Sequence, residues 1–303
     1  MQCPFFILDV FTQKPFAGNQ LAVVRECEHL SGDQMQAIAR EFNFSETVFV
    51  LPPHDPVNTA RLRIFSPESE LPFAGHPTIG GAVLIAREDG ASMLGSQELV
   101  IAVEELAGLI HCSVRKQDQR STRAVFDLPV LPQGLDGVPP RTELARALGL
   151  RVEDIGFGEH VPSHYSAGFG FVFVPVVSAD AIGRARPETS IWDEVFMHPN
   201  GRACYLYTND IPDEDTHIRA RMFTPPFGIL EDPATGAAAA AFAGVCMDFE
   251  KPADGEHQII IEQGVEMGRP SSIALTLFVR DGVLENASIG GSAVILAKGY
   301  LDL

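Results

Sequence analysis

The chain has 303 residues, 46% of them hydrophobic, and a formal net charge of −18. That length leaves room for two domains, and that apolar share is ordinary for a globular enzyme. The acid excess argues against a nucleic-acid or anionic-membrane surface, since both need clustered Lys and Arg, but it leaves open a small anionic substrate held by local donors.

In chain order, Phe5–Val10 and Leu21–Arg25 read as strands around the turn at 14–19. Ser31–Phe42 reads as a helix, with Ser31 and Gln34 at capping-box spacing and an apolar stripe of Met35, Ile38, Ala39 and Phe42. Phe44–Leu51 and Thr59–Phe65 follow as strands, Pro77–Arg87 as a helix, and Leu99–Val103, Gly108–Val114 and Arg123–Leu128 as strands. A Pro- and Gly-rich connector from Pro129 to Pro140 is the best domain boundary. Beyond it come a helix at Thr142–Leu148, a strand at Phe169–Val174 and a short helix at Pro187–Phe196. Strands at Ala203–Thr208 and Ile218–Phe223, a helix at Ala234–Met247, and strands at Ile259–Glu262, Ile273–Val279 and Ala293–Ala297 complete the chain. Many strands with few helices indicate an α+β class.

The five cysteines, Cys3, Cys27, Cys112, Cys204 and Cys246, are widely spaced and form no CxxC pair, which fits a reduced, cytoplasmic setting. The start MQCPFFILDVF reads as a first strand rather than a leader, and no apolar run approaches the roughly 20 residues of a membrane span. The nine histidines show no metal-ligand spacing, and there is no P-loop, HExxH or GxSxG, so neither a metal nor a cofactor is expected.

Two stretches look like one device built twice. RIFSPESELPFAGHPTIGGA at Arg63–Ala82 and RMFTPPFGILEDPATGAAAA at Arg221–Ala240 can be laid over each other without a gap. Each reads as strand, loop, tight turn and a helix of small residues, which suggests two similar domains whose turns, Ala74–Thr78 and Asp232–Gly236, face one site. If each turn opens a helix, its free backbone N–H groups form an anion pocket. Pro77 suits a first helical turn, because its missing N–H is not needed there. Gly80 and Gly81 are costly inside a helix, by roughly 1 kcal/mol each, and point to a helix closely enclosed by curved sheet.

Three side chains could carry chemistry, and each has a plainer reading. Asp232 is either a site residue or a helix cap, and His76 either a site residue or a structural turn histidine. Glu46 shares a strand face with Phe44, Val48 and Val50. There it either reaches solvent or is buried with its pKa raised toward the range useful for general acid/base catalysis.

The chain resembles the PhzF family of phenazine-biosynthesis isomerase-like proteins. The resemblance rests on linked motifs in order: AspValPheThr (9–12) with ProPheAlaGlyAsn (15–19), PheSerGluThrValPhe (44–49), and LeuProPheAlaGlyHisPro (71–77). These are followed by GluAspProAlaThrGly (231–236), GlnGlyValGluMetGlyArgPro (263–270) and GlyGlySerAlaVal (290–294). It implies a diaminopimelate-epimerase-like fold of two pseudo-symmetric domains, each a sheet or barrel round a central helix, with the active site between them. With the C-terminal strand returning to the first domain, the expected domains are 1–128 plus 286–303, and 129–285. The family's catalytic glutamate maps onto Glu46, its substrate-binding histidine onto His76 and its loop aspartate onto Asp232. Gly75, Pro77, Thr78, Thr235, Gly236 and Ala237 complete the expected binding set. The implied activity is cofactor-independent isomerisation of a small carboxylated substrate by a homodimer. Two departures stand out. Ala237 replaces the Ser common in relatives, and neither turn has the cysteine of the related two-thiol epimerases. A racemase or epimerase of amino or hydroxy acids, and a non-catalytic binding protein on the same fold, are the rival readings.

Overall fold

A computed structural model describes residues 2–91, 93–95, 97–196, 203–213 and 215–303. They form two compact units, Met1–Pro129 with Gly290–Leu303, and Val130–Ile289.

In the first unit the chain runs β1 (Gln2–Val10), β2 (Asn19–Val24), α1 (Gly32–Phe42), β3 (Glu46–Leu51), β4 (Ala60–Phe65) and β5 (Glu70–Leu71). Then come α2 (Gly75–Glu88), β6 (Leu99–Glu105), β7 (Gly108–Lys116) and β8 (Ser121–Asp127). The second unit holds β9 (Gln133–Gly134), α3 (Arg141–Leu148), β10 (Ser163–Ser166), β11 (Gly170–Pro175), α4 (Ala179–Arg184), α5 (Trp192–Val195) and β12 (Ala203–Thr208). It continues through β13 (Ile218–Thr224), β14 (Ile229–Asp232), α6 (Gly236–Val245), β15 (Gly255–Gln263) and β16 (Ser271–Arg280). The last strand, β17 (Val283–Asp302), starts in the second unit and ends in the first.

The first unit is a closed barrel. β1–β2, β3–β4, β6–β7 and β7–β8 pair antiparallel, β2–β3 and β4–β6 pair parallel, and β17 closes the ring by pairing with both β8 and β1. Closure leaves no free edge. α2 fills the barrel, packed against β1, β2, β3, β4, β6, β7 and β8, and every residue from Gly75 to Ala86 is buried. A helix enclosed on all sides must be apolar all round, and its girth is limited by the ring. Gly80 shows the limit. A Cβ there would lie 2.4 Å from Leu21 Cδ2 and 2.9 Å from Val10 Cγ2. Close enclosure is therefore why two glycines are kept despite their helix cost. α1 packs outside the barrel, where Met35, Ile38 and Ala39 meet Phe49, Leu51 and Phe65. Its capping box is present: Ser31 Oγ accepts from Gln34 N, and Gln34 Oε1 from Ser31 N.

The second unit repeats the plan. β11–β12 pair parallel, β12–β13 antiparallel, β13–β15 parallel and β15–β16 antiparallel, the same sequence of pairings as β2, β3, β4, β6 and β7. α6 takes the place of α2 and is buried throughout apart from Ala237. Three short helices, α3, α4 and α5, do the work of α1, packing Leu144, Leu148, Ile182 and Trp192 on Val172, Val174, Leu206 and Phe223.

Several boundaries differ from the sequence expectations. β3 begins at Glu46, and Phe44 is off the strand with its ring stacked on Phe42. The helix expected at Pro187–Phe196 is a 3₁₀ turn at Thr189–Ile191 followed by the single turn of α5. α6 ends in a π-turn at Cys246–Glu250. The gapless overlay of the two turns is off by three residues. Phe65 pairs with Glu70, whereas Phe223 pairs with Glu231, because the 3₁₀ turn Pro225–Phe227 lengthens the second loop. The correct overlay therefore matches Leu71-Pro72-Phe73-Ala74-Gly75-His76 with Asp232-Pro233-Ala234-Thr235-Gly236-Ala237.

Candidate active site

Each turn is built by the strand before it and braced by the hairpin after it. Arg63 on β4 makes a bidentate pair with Glu70 on β5, both bonds 2.7 Å, and Arg221 on β13 does the same with Glu231 on β14, both 2.8 Å. Each guanidinium also lies over the ring of the phenylalanine two residues on, at 5.0 Å and 4.7 Å. The forked geometry fixes orientation as well as distance, so the chain leaves both strands on a set path into the turn. Ala107 N then donates to Pro72 O at 2.9 Å. In the second unit Gly264 lies against Pro233, with φ at +77° and room for no side chain: a Cβ would sit 2.5 Å from Arg269 O and 2.6 Å from Pro233 O. Gly264→Ala is expected to cost about 1–3 kcal/mol, because backbone on both sides must move. Chemical denaturation measures that loss.

The first turn delivers His76 to the second position of α2. The helix has no side-chain cap, so the N–H groups of Gly75 and His76 have no intrahelical acceptor by position. Thr78, part of the expected binding set, sits one turn into α2. Its N–H donates to Ala74 O, and its hydroxyl, fully buried, is engaged by Ala74 O and Glu105.

His76 is 3% exposed. Burial pushes its pKa down to about 3, with a Gln20 backbone contact working weakly the other way, so the ring is neutral at ordinary pH. Glu46, first residue of β3, places Oε2 3.3 Å from His76 Nδ1 and is 17% exposed. With the ring neutral, this is a carboxyl against an imidazole rather than an ion pair. Nδ1 is the ring nitrogen that faces the Glu46 carboxyl. Nε2 is buried without a hydrogen-bond partner. Asn19, first residue of β2, brings its amide to 3.4 Å from Nδ1. It was not singled out from the sequence, although it closes the ProPheAlaGlyAsn motif.

The His76 shift makes a stability prediction. Between pH 3 and 6.5 the unfolded chain binds a proton at this residue that the folded one does not. Stability is thus fully present above about 6.5 and falls as the pH drops toward 3. Urea midpoints between pH 7 and 4 are expected to drop in the wild type and to drop less in His76→Gln.

In the second unit Asp232 ends β14 and is 6% exposed. It is not the helix cap: that position is Thr235, which makes no side-chain cap bond. Thr235 Oγ1 instead donates to Asp232 Oδ2 at 2.6 Å. Gln263, the last residue of β15, lies beneath the turn. Its amide donates to Asp232 O at 2.8 Å and Thr235 Oγ1 at 3.0 Å, and its carbonyl oxygen accepts from Thr235 N and Tyr205 Oη. Burial and the Asp232 charge push the Tyr205 hydroxyl pKa up. Ala237 stands on the half-exposed side of the first turn of α6 and presents a methyl group. Sequence reasoning missed Gln263 as a support, although the residue opens one of the quoted motifs.

Among the described residues no three His, Cys, Asp or Glu converge as a metal site, and no helix is long and apolar enough to cross a membrane.

The fold and this site define an α+β protein built on a helix-filled barrel, with a carboxyl–imidazole pair at the N-terminal end of the enclosed helix. Residues 8–299 match the model of the phenazine biosynthesis-like (PhzC-PhzF) family, and the chain belongs to that family. It is 45% identical over 300 residues to an uncharacterized isomerase of Mesorhizobium japonicum, with 98% of each chain covered. It is 33% identical to the trans-2,3-dihydro-3-hydroxyanthranilate isomerase of Pseudomonas aeruginosa, covering 97% of this chain and 98% of the relative. The crystal structure of a PhzF-family phenazine biosynthesis protein of Bacillus anthracis superposes with a TM-score of 0.89 at 27% identity, covering 100% of both chains. The protein is thus an enzyme of the isomerase class.

Proposed function

We propose that the protein moves a proton between carbons of a small carboxylated substrate bearing an amino or hydroxyl group, with Glu46 as general acid and base. The observation that carries this reading is the Glu46–His76 pair beside the uncapped N-terminus of α2. The N–H groups of Gly75 and His76 hold the substrate carboxylate, helped by the positive end of the helix dipole. Pro77 keeps the first turn helical while adding no competing donor. Glu46 takes a proton from a carbon next to an activating group and returns it to a second carbon. His76 Nε2 is hydrogen-bonded to the substrate's hydroxyl or amino group. A carbon acid ionises poorly unless its conjugate anion is stabilised, so the helix end is as necessary as the base. In the second unit, Asp232 is assigned a polar group of the substrate, with Thr235, Gly236 and Ala237 contributing at the start of α6. The chain's own groups supply base and anion stabilisation, so the reaction is assigned no metal or cofactor. The dimeric state implied by the resemblance and the cytoplasmic setting read from the cysteines are carried in the same proposal.

The Pseudomonas relatives' named substrate fits this class. Ala237 removes one hydroxyl near the binding set, which favours a substrate with one polar group fewer. Thiol-based racemisation draws no support: all five cysteines are buried, and burial pushes Cys27 up to about 12. The test is incubation of the wild type in deuterated water, with chelator, alongside trans-2,3-dihydro-3-hydroxyanthranilate and a panel of small amino and hydroxy acids. One substrate should gain a mass unit. Absence of both mass gain and isomer formation with every carboxylated candidate would sink the reading in favour of a binding protein.

A further inference from the structure

The structure assigns Glu105 as a positioning residue: a neutral carboxylic acid, standing where the second unit has Gln263, that holds the first turn of α2 through Thr78. The assignment deepens the proposed function above, because that turn carries His76.

The two residues are counterparts by register. β4 and β6 pair Ala60 with Val103 and Arg61 with Glu104; β13 and β15 pair Ile218 with Ile261 and Arg219 with Glu262. Glu105 and Gln263 each come next, and each ends its strand. Ile101, Val103 and Glu105 share the inward face, so the carboxyl lies inside the barrel beneath the start of α2, as the Gln263 amide lies beneath the start of α6. Both residues serve the turn above them. Gln263 donates to the Asp232 carbonyl and the Thr235 hydroxyl. Glu105 contacts the Thr78 hydroxyl, which in turn reaches the Ala74 carbonyl.

The geometry of that contact favours a proton on Glu105. Thr78 Oγ1 lies 2.8 Å from Ala74 O and 2.7 Å from Glu105 Oε1. A hydroxyl has one hydrogen to give. The Ala74 carbonyl can only accept, so an ionised Glu105 would have to share that one hydrogen with it, whereas a carboxylic acid donating to Thr78 Oγ1 gives both contacts a full hydrogen bond. A glutamine amide offers the same donor without titrating, and the second unit uses one. Glu105 is 8% exposed, and its other oxygen is buried without a hydrogen-bond partner. An ionised carboxylate there would be both desolvated and unpaired.

The surroundings agree. Burial pushes the Glu105 pKa up to about 8, with the Thr78 contact lowering it and no cation contributing. The ionisable group facing it from β7 is the buried Cys112 thiol, which Glu105 raises further. From α2 the nearby titratable residue is His76, already neutral. On β4, Arg61 and Arg63 alternate away from the inward-facing Leu62 and Ile64. On its own strand, Glu104 faces outward and accepts from His54 N, Asp55 N and Asn58.

The sign of the pH effect follows. Between about pH 4.5 and 8 the folded chain holds a proton at this position that the unfolded chain has lost, so Glu105 weakens the fold as pH rises through that window and levels off above it. The experiment is urea unfolding of wild type and Glu105→Gln at half-unit steps from pH 5 to 9. The wild-type unfolding constant should rise relative to the variant by about tenfold per pH unit, flattening near pH 8. Parallel curves would overturn the assignment. A second readout is the infrared difference between the two proteins: a protonated carboxyl band at pH 7 that fades above pH 8 supports it, and a carboxylate band at pH 7 contradicts it. Neither arm needs a substrate, so both stand if the proposed reaction fails. Where exchange is found, the alkaline fall of kcat should be present in wild type and flattened in Glu105→Gln; an identical pH profile would count against a positioning role.

Discussion

Glu46→Gln is expected to fold as the wild type does and to lose about 10²–10⁴-fold in kcat, the usual span for removing a positioned general acid/base. Glutamine keeps the size, the start of β3 and a polar contact to His76 Nδ1, and it cannot take a proton from carbon. The residue is partly exposed, so its replacement removes no core packing. Unfolding midpoints should therefore agree with the wild type while turnover collapses. KM should change little, because binding is assigned to the helix ends and to His76 rather than to Glu46. A large KM increase with an unchanged kcat would instead place Glu46 in uniform substrate binding.

The second large effect falls on stability. Arg221→Ala is expected to cost about 3–5 kcal/mol, and its counterpart Arg63→Ala about 1–2 kcal/mol. The two make the same forked pair, but their settings differ. Arg221 is 3% exposed and also donates to Ile182 O and Ala185 O, so its loss strands Glu231 and takes one donor from each of two carbonyls. Arg63 and Glu70 are each about a quarter exposed, and water can replace part of what is lost. Urea denaturation of both variants separates the two costs. Equal losses would mean that the shared fork, rather than burial, sets the energy.

Much of the site was legible in the sequence because it depends on local pattern. Alternation put Glu46 on one strand face with Val48 and Val50 while leaving open whether that face met solvent, and the two glycines of α2 signalled close enclosure. The capping box of α1 was readable from Ser31 and Gln34 alone. What failed depended on loop length and distant pairing. The three-residue 3₁₀ turn at Pro225–Phe227 is invisible to a gapless overlay, and it moved the match of His76 from Ala234 to Ala237. Glu105 was lost because its strand was expected to end at Val103; two more residues of alternation would have put a carboxyl inside the barrel. Gln263 and Asn19 lay within quoted motifs, but their work, bracing a turn and facing an imidazole, is set by chain segments 28 and 57 residues away. Thr78 belongs to the expected binding set, and only the structure shows its hydroxyl in contact with Ala74 and Glu105.

The central claim is that Glu46 carries a proton from one carbon to another. The direct measurement follows that proton by NMR in deuterated water, with wild type and Glu46→Gln on the same substrate. Wild type should place deuterium at the receiving carbon, and Glu46→Gln should place none over many wild-type turnover times. Deuterium appearing at that carbon at a comparable rate in Glu46→Gln would show that another group is the base.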